Sequence, residues 1–567
     1  MVAIVATQGF NTTLPFKVTR LKIAFIVLST AFVAPFAALQ AAETFLVEDG
    51  QPRAEIVISE SPQRSARLAA HDLQTYVRKI SGAHLPIVTK PSEQVASVFV
   101  GRSEYTDRLK ITAEGLKDGA YRMVSGDKWL VLIGDDTEFT PIEPWAQNSS
   151  ERGEDGKVQR EWDKITGARW AVPMMSLYKH RLTLPGEIGR QDAAVGKVEP
   201  WQAWSGDERG SFNAVAGFLD RLGVRWYMPG ELGEIVPSLK SIPLPKLDET
   251  VRPDMANRSF NFRFAVNRLE TALWAMRLGT REPLNRQYAH GMVPITMREA
   301  NFVAHPEWFA LYGGKRQFQP GYTKNQLCYS NEELFEETVR YVRALFDHYQ
   351  FEVVSVMPPD GYTAICQCKL CEGKDSPQRD SQGLLSDYVW DFVNRVAKEV
   401  GKTHPDKMIC NCSYGSYALP PLKIAKLEPN VLVGIVGGRG APRSNKPEQQ
   451  AEIAQRRAAW MAKTDNPILV FENYPITERG WYLPAFTPAA LGESVNATKG
   501  ISQGEDITLS LDFTKAGAGL NHFIVYFTAR SYWGGKELDV DAMFQEYCHL
   551  FYGPAEKEMH TFFTGYS

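Results

Sequence analysis

The chain has no basic surplus. Its 567 residues carry 63 Lys and Arg against 66 Asp and Glu, a formal net charge of −3. A nucleic-acid partner needs a stripe of lysine and arginine to neutralise phosphates, so that class is disfavoured. After the first 42 residues there is no long apolar run, so no stable membrane span is expected in the rest of the chain. No glycine-rich nucleotide fingerprint follows any strand-like segment, which weakens a doubly wound nucleotide-binding sheet. No histidine is marked out as partner to a cysteine, so a catalytic thiol is not expected, and no cofactor is. What is present is ample hydrophobic material, 44% of the chain, enough to bury at least two cores and to exclude disorder of the whole.

Residues 1–42 hold Lys17, Arg20 and Lys22 with no acidic residue, then an apolar run over 23–36, then small residues to Ala42. That layout predicts a secretory signal peptide and a secreted or periplasmic protein. The run is about 14 residues, is broken by Pro35, and falls short of the roughly 20 needed to span a bilayer. A cut after Ala41 leaves Leu39 where a small residue is preferred. Removing the segment takes the net charge from −3 to −6.

Residues 43–250 read as a small α/β domain. Strands are expected at 56–58, 86–88, 98–100 and 129–133. A helix should start at Ser61 and Pro62, carry Ala69, Leu73, Tyr76, Val77 and Ile80 on one face, and stop at Gly82. A second helix is expected near 212–222. Between them, 138–210 is aperiodic, rich in charge and glycine, and holds Trp145, Trp162, Trp170, Trp201 and Trp204. Those rings either pack a surface excursion down or offer flat faces to a sugar, and packing is the favoured reading. The proline-rich stretch 242–253 reads as a linker.

From 255 to 567 strand-like and helix-like segments alternate. Strands are expected at 260–264, 353–357, 408–412, 431–436, 468–471 and 523–527, with amphipathic helices between them, one of them opened by a capping box of Ser330 and Glu333. Six short apolar strands over this length predict parallel β/α units and a (β/α)8 TIM-like barrel.

Reacting groups in such a barrel lie at the C-terminal ends of the strands. The strand at 353–357 runs into Pro358, Pro359, Asp360 and Gly361, and the one at 468–471 into Glu472, Asn473 and Tyr474. Hydrolysis of a glycosidic bond needs two such carboxyls, so Asp360 and Glu472 are the candidate catalytic pair, Asp360 as acid or acid/base and Glu472 as the second carboxylate. Asp-Gly also forms ordinary turns, and a buried glutamate also pairs with arginine. Arg263, His290, Tyr474 and Trp533 are candidate substrate contacts.

Six of the seven cysteines fall between 328 and 412. In an exported protein the expectation is disulfides among Cys328, Cys366, Cys368, Cys371, Cys410 and Cys412. The C-x-C-x-x-C run also suits zinc, which is the second reading.

Several of these residues carry a family resemblance. His305-Pro306-Glu307-Trp308-Phe309, Gln326-Leu327-Cys328 leading into Ser330-Asn331, the Asp360-Gly361 turn with its three following cysteines, and Gly519-Leu520-Asn521 resemble secreted proteins carrying the domain of unknown function DUF4838, over about 255–567. Upstream, residues 69–82 and Gly223-Val224-Arg225-Trp226-Tyr227 with Pro229-Gly230 look like the small domain preceding the barrel in α-glucuronidases and family 20 hexosaminidases. The resemblance implies a TIM-barrel glycosidase relative acting on polysaccharide or glycan fragments. Family 20 enzymes place an adjacent Asp-Glu pair where this chain has Asp360-Gly361, which speaks against their substrate-assisted mechanism. The resemblance also implies a barrel that runs past residue 567, so a truncated one is expected. The rival is a non-catalytic glycan-binding protein on a degenerate barrel.

Overall fold

The computed structural model describes residues 44–146, 149–153, 155–173, 181–183, 202–262, 268–437, 447–473, 488–509, 516–536 and 538–565. The signal-like segment 1–42 lies outside them. Residues 44 onward form one compact unit of mixed α/β architecture built on two six-stranded sheets.

The first sheet begins with strand β1 (Ala54–Val57), buried at every position, followed by helix α1 (Arg64–Ser81). Leu68, Leu73, Tyr76, Val77 and Ile80 bury one face of α1, each large aliphatic contributing about 1.5 to 3 kcal/mol. Gly82 ends the helix at φ +79°, a conformation that costs a glycine nothing. Strands β2 (Ile87–Val88), β3 (Ala96–Val100), β4 (Tyr121–Ser125) and β5 (Trp129–Gly134) follow, then helices α2 (Lys157–Thr166) and α3 (Gly210–Arg221), and finally β6 (Asp248–Val251). The sheet order is β6-β4-β5-β3-β1-β2; β4 runs antiparallel to both of its neighbours, β6 and β5, and the remaining pairs are parallel.

The stretch read as a linker belongs to this architecture. Asp248 to Val251 add β6 to the edge of the sheet, and Ile242–Pro243 pair with Phe45–Glu48. Alternating exposed and half-buried residues in β6 gave no apolar run to mark it. The excursion that holds the tryptophans is packed down. Trp162 and Trp170 are buried and meet Tyr349 and Tyr341 at ring distances of 5.4 and 5.2 Å, while Trp145 and Trp204 stack edge to face at 5.4 Å. Trp201 lies outside the described residues.

The second sheet is curled and wholly parallel, a half-barrel. Its strands are β7 (Asn257–Phe262), β8 (Val353–Ser355), β9 (Met408–Ser413), β10 (Val431–Val436), β11 (Ile468–Glu472) and β12 (Ser502–Leu509), in the order β7-β12-β11-β10-β9-β8. Around it stand helices α4 (Arg268–Arg277), α5 (Glu332–Tyr349), α6 (Ser386–Gly401), α7 (Pro447–Met461), α8 (Pro488–Asn496), α9 (Ala516–Ser531) and α10 (Val540–Tyr552). The gap between β7 and β8 is spanned by an irregular segment that bridges Arg281 to Arg258 antiparallel and Arg286 to Val353 parallel. The described residues thus show six regular parallel strands.

Two expectations are corrected. Residues 523–527 lie inside helix α9, and the sixth strand is β12. An all-apolar stretch such as Phe523-Ile524-Val525-Tyr526-Phe527 is buried on every side, so its period cannot separate helix from strand. The cap of α5 is Asn331, whose side chain accepts the backbone N–H of Leu334 at 2.8 Å, whereas Ser330 takes Lys374 Nζ at 3.0 Å.

Candidate active site

Successive side chains of a strand point to opposite faces of the sheet. On β11, Leu469 and Phe471 face the inner side of the curled sheet with Tyr288, Val353, Cys410 and Leu432. Ile468, Val470 and Glu472 therefore face the helix layer. Glu472 is fully buried there, within electrostatic reach of Arg456 on α7, and its register partner is the core residue Ile507.

The carboxyl that faces inward is Asp506 on β12. It is the register partner of Phe471 on one side and of Ser259 on the other, and its charge is felt by Tyr288 and Cys410 inside the sheet. Protein surrounds Asp506 yet leaves part of its surface accessible. Burial pushes its pKa up to about 7, against the opposing hydrogen bond from Ser259, while nearby Glu282 adds to the rise. Asp136 is also raised to about 7 by burial, but it takes the N–H of Ser211 at the start of α3, at 3.0 Å, as a structural acceptor.

Asp360 follows β8 on a turn completed by Gly361 at φ +83°. Lys324 Nζ stands 2.9 Å from its Oδ2, and the Tyr414 hydroxyl donates to its Oδ1 at 3.2 Å. Gln326 Nε2 donates to its backbone oxygen at 2.8 Å. The Lys324 contact first, then His290 and Tyr414, hold the Asp360 carboxyl below its ordinary pKa. His290 donates from Nδ1 to the Pro358 carbonyl at 2.8 Å, and its ring lies 6.3 Å from that of Tyr414.

The structure thus brings together Asp360 and His290, and adds Lys324 and Tyr414, which the sequence did not single out. It does not bring Glu472 or Trp533 to them. Trp533 packs on Arg258, 4.8 Å from the guanidinium carbon, and on Tyr121 of the first sheet. A Cβ at Gly279, itself at φ +70°, would stand 2.8 Å from the indole. Arg263 and Tyr474 lie outside the described residues, as do the segments directly after β10, β11 and β12.

The expected disulfides are not formed: all seven cysteines are free and buried. Cys410 and Cys412, two apart on one strand face, both donate to the Tyr288 carbonyl, at 3.5 and 3.3 Å. Cys328, Cys366, Cys368 and Cys371 instead converge on one point. A cavity of about 350 Å³ lined by Arg281, Glu282, Glu208 and Glu352 lies by the segments that lead into β8, away from Asp360.

The chain matches the family model of the domain of unknown function DUF4838 over residues 228–563 and belongs to that family. No curated protein matches it. Among solved structures it is similar to BtGH115A, described as a family GH115 4-O-methyl-α-glucuronidase with specificity for decorated arabinogalactans. That match has 11% identity and a TM-score of 0.45, over 90% of this chain and 60% of that one. It is also similar to a GH138 enzyme described as targeting pectin rhamnogalacturonan II, at 9% identity and a TM-score of 0.30, over 87% and 52%. A third is CpGH84B, at 11% identity and 0.35, over 89% and 72%. The chain spans less than two thirds of the first two. Among the described residues no helix is long and apolar enough to cross a membrane.

Proposed function

We propose that this protein hydrolyses glycosidic bonds in polysaccharide or glycan fragments, with Asp506 as proton donor to the leaving oxygen and Asp360 as the ionised second carboxyl. One observation carries the reading. Two carboxyls of the curled sheet are pushed in opposite directions, Asp506 up to about 7 by burial and Asp360 down by Lys324. Pairs of titratable groups held apart in this way divide acid from base in known catalytic sites. The polar part of the inner face, beside the apolar cluster of Val353, Leu432 and Leu469, supports it as well. Asn257, Ser259, Ser355 and Asp506 alternate with residues of the outer core, where an inert barrel would hold branched aliphatics.

In this reading the sheet is a relative of the (β/α)8 barrel, closed between β7 and β8 by the bridging segment 281–287. The sugar lies across the strand ends, with His290 Nε2 meeting a hydroxyl. Asp506 gives its proton to the departing glycosidic oxygen. Asp360, already an anion, attacks the anomeric carbon or draws the proton from an attacking water. Glu472 is left as a buried partner of Arg456. The signal-like first 42 residues support export to the periplasm or beyond, where such substrates are met.

The test is a panel of aryl glycosides and uronides offered to the full chain beside Asp360→Asn, Asp506→Asn and Glu472→Gln. Turnover lost in the two aspartate variants and kept in folded Glu472→Gln supports the assignment. Turnover that needs Glu472 and survives Asp506→Asn overturns it, and binding without turnover by the parent chain favours the glycan-binding rival.

A further inference from the structure

We propose that Cys328, Cys366, Cys368 and Cys371 bind one zinc ion as four thiolates, a structural metal site that ties the Asp360 loop to the segment before α5. The sulfur of Cys328 lies 3.6 Å from that of Cys368 and 3.5 Å from that of Cys371, and Cys368 and Cys371 are 3.6 Å apart. The Cys366 sulfur lies within 4.8 Å of all three. Zinc holds sulfur at about 2.3 Å, so the edge of a zinc-centred sulfur tetrahedron is about 3.8 Å. A disulfide would bring one pair to about 2.05 Å and break this symmetry.

The surroundings are those of a metal site. Cys368 precedes and Cys371 ends a short turn, Lys369–Cys371, in which the Cys371 N–H donates to the Cys368 carbonyl at 2.9 Å. That C-x-x-C spacing presents two sulfurs to one point. Cys328 is fixed by its own N–H donating to the Trp308 carbonyl at 2.8 Å. Four thiolates around a divalent ion carry a net charge of −2, and donors stand ready to offset it. The Leu311 N–H meets the Cys366 sulfur at 3.3 Å, Arg316 Nη1 meets it at 3.6 Å, and the Tyr388 hydroxyl lies 3.2 Å from the Cys371 sulfur. An all-sulfur set selects zinc over magnesium or calcium, and four protein ligands leave no open position for chemistry.

The site explains the position of Asp360. Cys366 follows Asp360 on the same loop, and Gln326, two residues before Cys328, donates to the Asp360 carbonyl at 2.8 Å. Metal binding locks both sides of that contact.

The experiment is elemental analysis of the full chain purified without chelator, beside Cys371→Ser and Cys410→Ser. About one zinc per chain is expected in the parent and in Cys410→Ser, with a loss of at least tenfold in Cys371→Ser. Should Cys371→Ser fail to fold, cobalt(II) added to the chelator-treated parent gives an independent reading: intense visible bands of tetrahedral cobalt and a near-ultraviolet thiolate band are expected. A parent chain with no zinc and no cobalt bands overturns the proposal, whether its cysteines titrate as seven free thiols in denaturant or as fewer because disulfides have formed.

Discussion

Lys324 Nζ lies 2.9 Å from Asp360 Oδ2, so the carboxyl that strand-end reasoning picks out as an acid is held as an anion. Both groups are substantially exposed, which makes the pair a poor source of stability and an effective way to set one charge. Lys324→Met is expected to leave the melting temperature nearly unchanged. It should move the acid limb of the pH–rate profile upward, because the Asp360 carboxyl returns toward its ordinary range. A profile unmoved by the change would remove Asp360 from the ionised role.

Asp506 makes the opposite trade. Its folded pKa, about 7, stands above the ordinary value of 3.8. Stability linked to this group is therefore fully present below about pH 4 and is lost as pH rises to about 7, since the unfolded chain ionises first. Asp506→Asn removes that loss. It should stabilise the protein at pH 8 relative to pH 4 by on the order of 1 to 4 kcal/mol, the upper figure being the full conversion of the shift. Denaturant titrations of parent and variant at the two pH values check this. Equal effects at both would mean that the carboxyl is already ionised in the folded protein.

Trp162 is expected to matter for folding. It is fully buried between Trp170, His348 and Tyr349, and it fastens the excursion to α5. Trp162→Ala should cost about 3 to 5 kcal/mol in unfolding free energy. Trp533→Leu should also destabilise the chain, through its lost contact with Arg258, while leaving KM unchanged in the folded fraction. A raised KM at full stability would return Trp533 to the substrate.

The alternation of strands and helices was legible because most strands of the curled sheet carry apolar runs. Strand β12 does not, and for a physical reason: its inward positions are Gly504, Asp506 and Thr508, none of them a large apolar residue, so it carries little hydrophobic signal. Residues 523–527 took its place because a helix buried all round reads like a strand. Asp360 and Glu472 were both found at strand ends, but a strand covered on both faces does not reveal which face is which, and Glu472 falls on the outer one. His290 was reachable from its place in a loop. Lys324 was not, since nothing in its neighbourhood sets it apart from other surface lysines. The cysteine clustering was plain in the spacing. Which four converge is a matter of loop geometry, and Cys328 lies far before Cys366 in the chain.

The most direct test of Asp506 as proton donor is leaving-group dependence. A substrate whose aglycone departs as a stable anion needs little protonation, whereas an alkyl or sugar aglycone needs it fully. Asp506→Asn should lose about 10² to 10⁴-fold in kcat/KM on a natural or alkyl glycoside and stay within about tenfold of the parent on the matching dinitrophenyl glycoside. An equal loss on both substrates, or none on either, would contradict the assignment.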